Sequence, residues 1–304
     1  MKHHLILLFI VAISYVSQAT TDSNSAALDV FKKDTVKKDT FNFYYKFYAK
    51  DTIFYKVETL DSTAFNFDEP LIKDKIEILR VICDSVVAGK YYLNFTTTQL
   101  LENGRKGSEK SDTRTYHPWL GRKAFIVIDS LGTRFSSTVE DSNSAVIAPS
   151  GPFGPTLFPP LKETQKVREE TWLNTTMLDL PEYGNPIPLI RLTYLFHFKE
   201  MRDTLEKRNF YYEYIATGQG SVGLSMEDAK VRLTNVLNGH GKIFLDTLEL
   251  IPTFFYNTQE QKIVYSSGEK RKQGYHYTNT FFTFQKLIRN KTPQAIMPKR
   301  GKKK

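Results

Sequence analysis

Apolar side chains at every second position, in one segment after another, limit the folds open to this chain more than anything else in its sequence. Phe41, Phe43, Tyr45 and Phe47 fall on one parity, with Asn42 and Lys46 on the other. Leu192, Tyr194, Phe196 and Phe198 alternate in the same way with Arg191, Thr193, His197 and Lys199. Successive side chains of an extended strand point to opposite faces, whereas a helix repeats every 3.6 residues, so this period describes strands with one buried and one wetted face. The rhythm recurs over 52–60, 76–83, 91–98, 124–128, 210–215, 241–246, 253–256, 262–266 and 275–284. Turn chemistry separates the segments: Ala88-Gly89-Lys90 joins two of them, and Asn103-Gly104 opens a polar stretch. The expected fold is therefore mainly β, built of antiparallel sheets, in two similar curved-sheet or half-barrel halves, as two related sheets or one continuous one. Phe 22, Tyr 17 and Trp 2 among 304 residues supply a large core and exclude a wholly disordered chain.

Composition shifts mark out the organisation. Residues 1–19 combine Lys2, His3 and His4, the apolar run Leu5 to Val16 and a small residue, Ala19, which together form a secretory signal. The apolar run is shorter than the ~20 residues that span a bilayer, so no transmembrane segment is expected in the mature chain. Residues 20–40 read as a polar linker with the tandem Lys32-Lys-Asp-Thr35 and Lys37-Lys-Asp-Thr40. A first β-rich half covers 41–148 and a second covers 161–290, with a Pro/Gly-rich crossover at 149–160 between them. Residues 291–304 form a basic tail holding Lys299, Arg300, Lys302, Lys303 and Lys304. That tail carries much of the formal charge of +9, and its Lys and Arg are not interleaved with aromatics, so no nucleic-acid face is expected. Lys123-Ala-Phe-Ile-Val-Ile-Asp-Ser-Leu and Gly241-Lys-Ile-Phe-Leu-Asp-Thr-Leu share the order strand, Asp, Ser or Thr, Leu, a weak internal repeat.

On these strand-Asp-Ser/Thr-Leu elements and the aromatic strands behind a signal, the chain resembles the uncharacterised β-rich secreted proteins of bacterial envelopes. By architecture it is more distantly similar to the curved-sheet lipoprotein carriers. The first resemblance implies a secreted or periplasmic envelope location. The second implies an apolar hollow for acyl chains.

The residues that bear chemistry form no catalytic constellation. Gly218-Gln-Gly220-Ser-Val-Gly223 matches the dinucleotide-binding fingerprint, follows an apolar segment, and precedes Asp246, where a ribose-binding acid would stand. Ser225 and the apolar spacing of Met226, Ala229, Leu233, Val236 and Leu237 would suit the helix that motif requires. The same stretch also alternates, and its surroundings favour strand. Glu213 breaks the apolar strand that the fingerprint needs, so the glycines are expected to shape positive-φ turns or bulges, and an NAD-dependent enzyme is only an alternative. Cys83 shares a parity with Leu79 and Val81 and reads as a buried small hydrophobe. His117, His197, His240 and His276 are never at ligand spacing, so no metal is expected. Glu169, Glu170 and Asp141 are acids without a visible partner. Asn94, Asn174 and Asn290 begin sequons that matter only in a eukaryotic host.

These readings point to an exported, non-enzymatic envelope protein that binds or builds, with no cofactor and no assignable catalytic or cofactor-binding residue. Its alternative is a carrier of a lipid or other apolar ligand in a concave sheet. Whether that concave face is filled or hollow discriminates the two.

Overall fold

The alternating segments pair into one broad sheet. The computed structural model describes residues 39–66, 68–109, 111–116, 120–139, 157–180, 187–226 and 229–289. The signal at 1–19, nearly all of the 20–40 linker, most of the crossover and the basic tail lie outside them, as do His117, Asp141 and Asn290.

Among the described residues there is no helix, and the strands run β1 (Thr40–Asn42), β2 (Thr52–Phe65), β3 (Leu71–Val87), β4 (Lys90–Lys106), β5 (Asp112–Arg114), β6 (Lys123–Asp129), β7 (Arg134–Val139), β8 (Gln165–Val167), β9 (Thr171–Leu180), β10 (Ile187–Thr204), β11 (Lys207–Met226), β12 (Ala229–Asp246), β13 (Pro252–Ser267) and β14 (Lys270–Ile288). Twelve of them form an antiparallel sheet in the order β7-β6-β4-β3-β2-β14-β13-β12-β11-β10-β9, with β5 beside β4. The first long strand, β2, pairs with the last, β14, so two meanders grow outward from that seam. Residues of both 41–148 and 161–290 thus lie in one continuous sheet. Chain 226–237, ambiguous in sequence, is strand wherever it is described, because neighbours on both sides complete its ladder.

Several strands outrun the segments read from the sequence. The patches at 253–256 and 262–266 are one strand, β13, and Asn103-Gly104 is no turn but lies within β4, paired with Asp74 and Lys73. The hairpin at Ala88-Gly89 forms as expected, both residues having positive φ, as the two-residue loop between twisted strands requires.

The sheet curves tightly, and residues 41–48 show how tightly. Six inter-strand steps separate β4 from β11, about 29 Å if the sheet were flat. Three tyrosines in series bridge them: the Tyr45 carbonyl accepts from the Tyr91 hydroxyl of β4 at 3.1 Å, and the Tyr45 hydroxyl lies 3.4 Å from that of Tyr212 in β11. The expected half-buried strand at 41–47 is therefore corrected. Only Thr40–Asn42 pairs, with β8, and the residues after it cross the hollow of the sheet as an extended arm without a ladder. The alternation is real, with Phe43, Tyr45 and Phe47 buried, but the backbone groups are satisfied singly. Phe43 N–H donates to Thr164 O at 2.6 Å, Tyr45 N–H to Ser130 O at 2.7 Å and Lys46 N–H to Leu250 O at 3.2 Å.

Ser130 belongs to the first repeat element, and Leu250 follows just after the second, in the loop that it begins. In both, the aspartate ending the strand folds the following loop: Asp129 Oδ1 accepts from the N–H groups of Leu131 and Thr133, and Asp246 Oδ1 from those of Leu248 and Glu249. Such side-chain turns are what Asp offers a backbone leaving a strand. The repeated sequence thus encodes two loops that hold the arm from opposite sides.

A second strap, 157–170, closes the hollow. Phe158 packs on Tyr45, Phe47 and Phe95 with ring centroids 5.3–6.1 Å apart, and Pro159 and Pro160 carbonyls accept from Tyr45 Oη and Trp172 Nε1. Lys166, fully buried, anchors this strap through Glu170 at 3.3 Å and the Trp172 ring at 4.7 Å.

Candidate functional site

Register assigns the inward face strand by strand. Its lower part is a closed aromatic core in which Trp172, Phe196, Phe198, Tyr212, Tyr214, Phe255 and Phe282 meet the arm. Above it the inward positions change character. Asn257 of β13 stands beside Thr280 of β14, which faces Thr59 of β2; the next rows place Gln259 beside Thr278 and Asp61, then Gln261 beside His276 and Thr63. Lys75 and Glu102, then Lys73, continue these rows across β3 and β4. The result is a polar belt across the concave face.

Most of the belt is satisfied internally. His276 Nε2 and Asp61 Oδ2 are 3.1 Å apart, and Lys73 pairs with Glu102 at 3.5 Å. Burial pulls the Asp61 carboxyl up, but the hydrogen bond and charge of His276 outweigh it and leave the group below its ordinary value. For Glu77, next to the belt, burial wins and pushes the carboxyl up against the pull of Lys75 and the Thr97 hydroxyl. Two donors are left over. Asn257 Oδ1 accepts from the Tyr214 hydroxyl and Asn235 Oδ1 from Gln261 Nε2 at 3.0 Å, yet the Nδ2 of each has no partner, and both side chains are buried. A buried donor without an acceptor costs about 1–3 kcal/mol.

Beyond the belt the inward face becomes apolar again, and here it is uncovered. Phe65, whose ring lies over Gly274, is 51% exposed and Leu71 is 40% exposed. Ile263 and Tyr265, on the inward parity of β13, are half-buried beside them.

The residues singled out in the sequence are not brought together. Gly218, Gly220 and Gly223 lie inside β11, opposite Leu237, Asn235 and Arg232. No helix follows them, and Asp246 lies nine positions along β12 from the partner of Gly218, about 30 Å away at strand rise. The turn or bulge reading of these glycines is corrected too: the ladder continues through them unbroken. A Cβ on Gly218 would come within 2.5 Å of Leu192 Cδ2, 2.8 Å of Ile190 Cγ2 and 2.9 Å of Arg191 O, so this glycine allows close approach in a coiled strand.

Cys83 is buried, its Sγ donating to Ser85 O at 3.5 Å. Glu169 and Glu170 do have partners, His197 Nε2 at 2.5 Å and Lys166, which sequence reading did not supply. His240 faces the Tyr256 ring at 6.0 Å, on the outer parity. Asn94 is buried in β4 and accepts from the Thr96 hydroxyl at 3.1 Å, a poor glycan acceptor. Asn235, Asn257, Gln259 and Gln261 were not foreseen. The one available signal was that Phe255 and Ile263 share a parity, which carries the strand through Asn257-Thr-Gln-Glu-Gln261.

No family model matches the sequence, and no curated protein matches it. Among solved structures, one of lipovitellin concerned with lipid–protein interactions is similar over 81% of this chain, with 10% identity and a TM-score of 0.43. The chain spans about a quarter of that protein's length, 26%. The similarity is distant, and it assigns no family.

Proposed function

We propose that this chain is an exported binding protein that holds an apolar or amphiphilic ligand against the upper end of its concave face. The observation that carries the reading is the uncovered apolar rim of Phe65, Leu71, Ile263 and Tyr265 on the inward side of a curved sheet. Apolar area contributes roughly 25 cal/mol per Å² when removed from water, and patches left exposed beside a polar border mark binding surfaces. A ligand in the lower hollow is not part of the proposal, since Phe43, Tyr45 and Phe47 occupy that space themselves. Export rests on the three zones of residues 1–19, and the mature chain is expected to begin at Thr20 on N-terminal sequencing.

Calorimetric titration of the full mature chain with dodecanoate and dodecylphosphocholine, each below its micelle-forming concentration, tests the binding. Saturable uptake that weakens at least tenfold in Phe65→Ser and Leu71→Ser supports the rim as the site. Absence of saturable binding to these and to uncharged amphiphiles of the same chain length overturns the proposal.

A further inference from the structure

We infer that the polar belt beside the rim receives an uncharged, oxygen-rich headgroup, the hydroxyl and ether oxygens of a sugar or the ester and hydroxyl oxygens of an acylglycerol. The inference rests on the amphiphile reading above and specifies which amphiphile.

Three observations carry it. The first is the pair of unpartnered amide donors. In both Asn235 and Asn257 the carbonyl oxygen already accepts a bond, from Gln261 and Tyr214, so what each has left to offer is N–H alone. Buried donors in folded proteins nearly always find an acceptor, and a complementary group here must therefore supply oxygen lone pairs.

The second is the run of primary amides. Asn257, Gln259 and Gln261 take successive inward positions of β13, and Asn235 stands opposite Ile263, the next inward position. The four amides follow one line for about 20 Å, at 3.3 Å per residue, from the edge of the aromatic core to the apolar rim. An amphiphile whose chain lies on Phe65, Leu71 and Ile263 has its polar end within this line.

The third is the charge balance. The inward carboxylates of the belt and its border are Asp61, Glu77 and Glu102. Against them stand Lys73 on Glu102 and Lys75, whose charge acts on both Asp61 and Glu77, while His276 hydrogen-bonds Asp61. Lys106 opposite Leu71, with Lys270 and Lys272 of β14, are exposed inward cations at the rim beyond the belt, and Arg114 of β5, beside Glu102, pairs with Asp112 at 2.8 Å. A phosphate or carboxylate headgroup calls for fork-like or clustered cations, and the belt instead offers neutral donors.

A set of four ligands sharing a twelve-carbon chain separates the possibilities: dodecyl maltoside, glycerol monolaurate, dodecylphosphocholine and dodecanoate, titrated below their micelle-forming concentrations into the full mature chain. The maltoside or the monolaurate is expected to bind at least tenfold more tightly than the zwitterionic phosphocholine and the anionic dodecanoate, and the better of the two identifies the source of the oxygens. Asn257→Leu and Asn235→Leu are expected to remove that preference by weakening the maltoside or monolaurate at least tenfold. The wild-type comparison needs no variant, so poor folding of either substitution leaves the test intact. Equal binding of all four, or a preference that survives both substitutions, overturns the headgroup inference and leaves the binding reading standing. No binding of any of the four overturns the binding reading itself.

Discussion

Burial pushes the Cys83 thiol up to about 12, with the carboxylates of Asp51 and Asp84 adding to the effect. At pH 8 the thiolate fraction is then about one in ten thousand, and the thiol is shielded by the sheet as well. Native protein is expected to resist an aromatic disulfide reagent for hours and to react promptly in denaturant; prompt labelling of the native chain would contradict the placement. Glu77 gives a pH prediction. Its folded-state carboxyl titrates above the unfolded value, so the folded state gives up the proton at higher pH than the unfolded chain, and ionisation opposes folding as pH rises through and above the ordinary glutamate range. Glu77→Gln should therefore leave the urea midpoint unchanged in acid and raise it at pH 7. A lower midpoint at pH 7 would mean that the Thr97 hydrogen bond and Lys75 outweigh burial. Cys83 was legible in the sequence from its parity with Leu79 and Val81. The pairing of Glu169 with His197 was not, because 28 residues separate two side chains that only the β9–β10 pairing brings together.

Strands make the argument about glycine concrete. Gly218 is required by the proximity of Leu192, Ile190 and a main-chain oxygen, not by a left-handed backbone. Gly218→Val is thus expected to destabilise by about 1–3 kcal/mol through overpacking, read as a lower urea midpoint with an unchanged slope. Gly218→Ala should cost part of the same, since its Cβ already meets those atoms. Tolerance of both would show that Leu192 and Ile190 move aside freely. The hairpin Leu205-Glu206 shows the limit of reading elements from turn chemistry. Both residues adopt positive φ between β10 and β11, although neither is a residue that favours it. The paired strands impose that geometry.

Across the whole molecule, the arm unifies the sheet. Phe43 has ring centroids 4.7 Å from Phe198 and 4.3 Å from Phe210, on one wing, while Phe47 lies 5.0 Å from Tyr91 on the other. Phe43→Ala removes a fully buried ring that fixes the arm to Phe198, Phe210 and Tyr212, and a loss of about 3–5 kcal/mol is expected. Unfolding should remain a single transition followed equally by near-UV and far-UV circular dichroism. A loss below 1 kcal/mol would show that the arm is only laid on a sheet already stable without it. Arg289 adds a polar tie of the same kind, bonding Asp51 before β2 and Glu249 in the loop held against the arm.

Local pattern determined the class of this protein, because a two-residue period is a property of neighbouring positions and survives whatever the distant chain does. It sufficed for an antiparallel β fold, for most strand cores and for the Ala88-Gly89 turn. It also marked the Asp-Ser/Thr-Leu loops without showing what they hold. Tertiary structure alone decided that the strands form one sheet, that its curvature brings β4 and β11 to a single tyrosine, and that residues 41–47 leave the ladder to fill the hollow. It alone also decided which polar parity faces inward. Asn257, Gln259 and Gln261 look like a wetted face in the sequence, since alternation separates two faces but does not say which is enclosed. That choice follows from long-range pairing and from the curl of the sheet, to which strands far apart in the chain contribute.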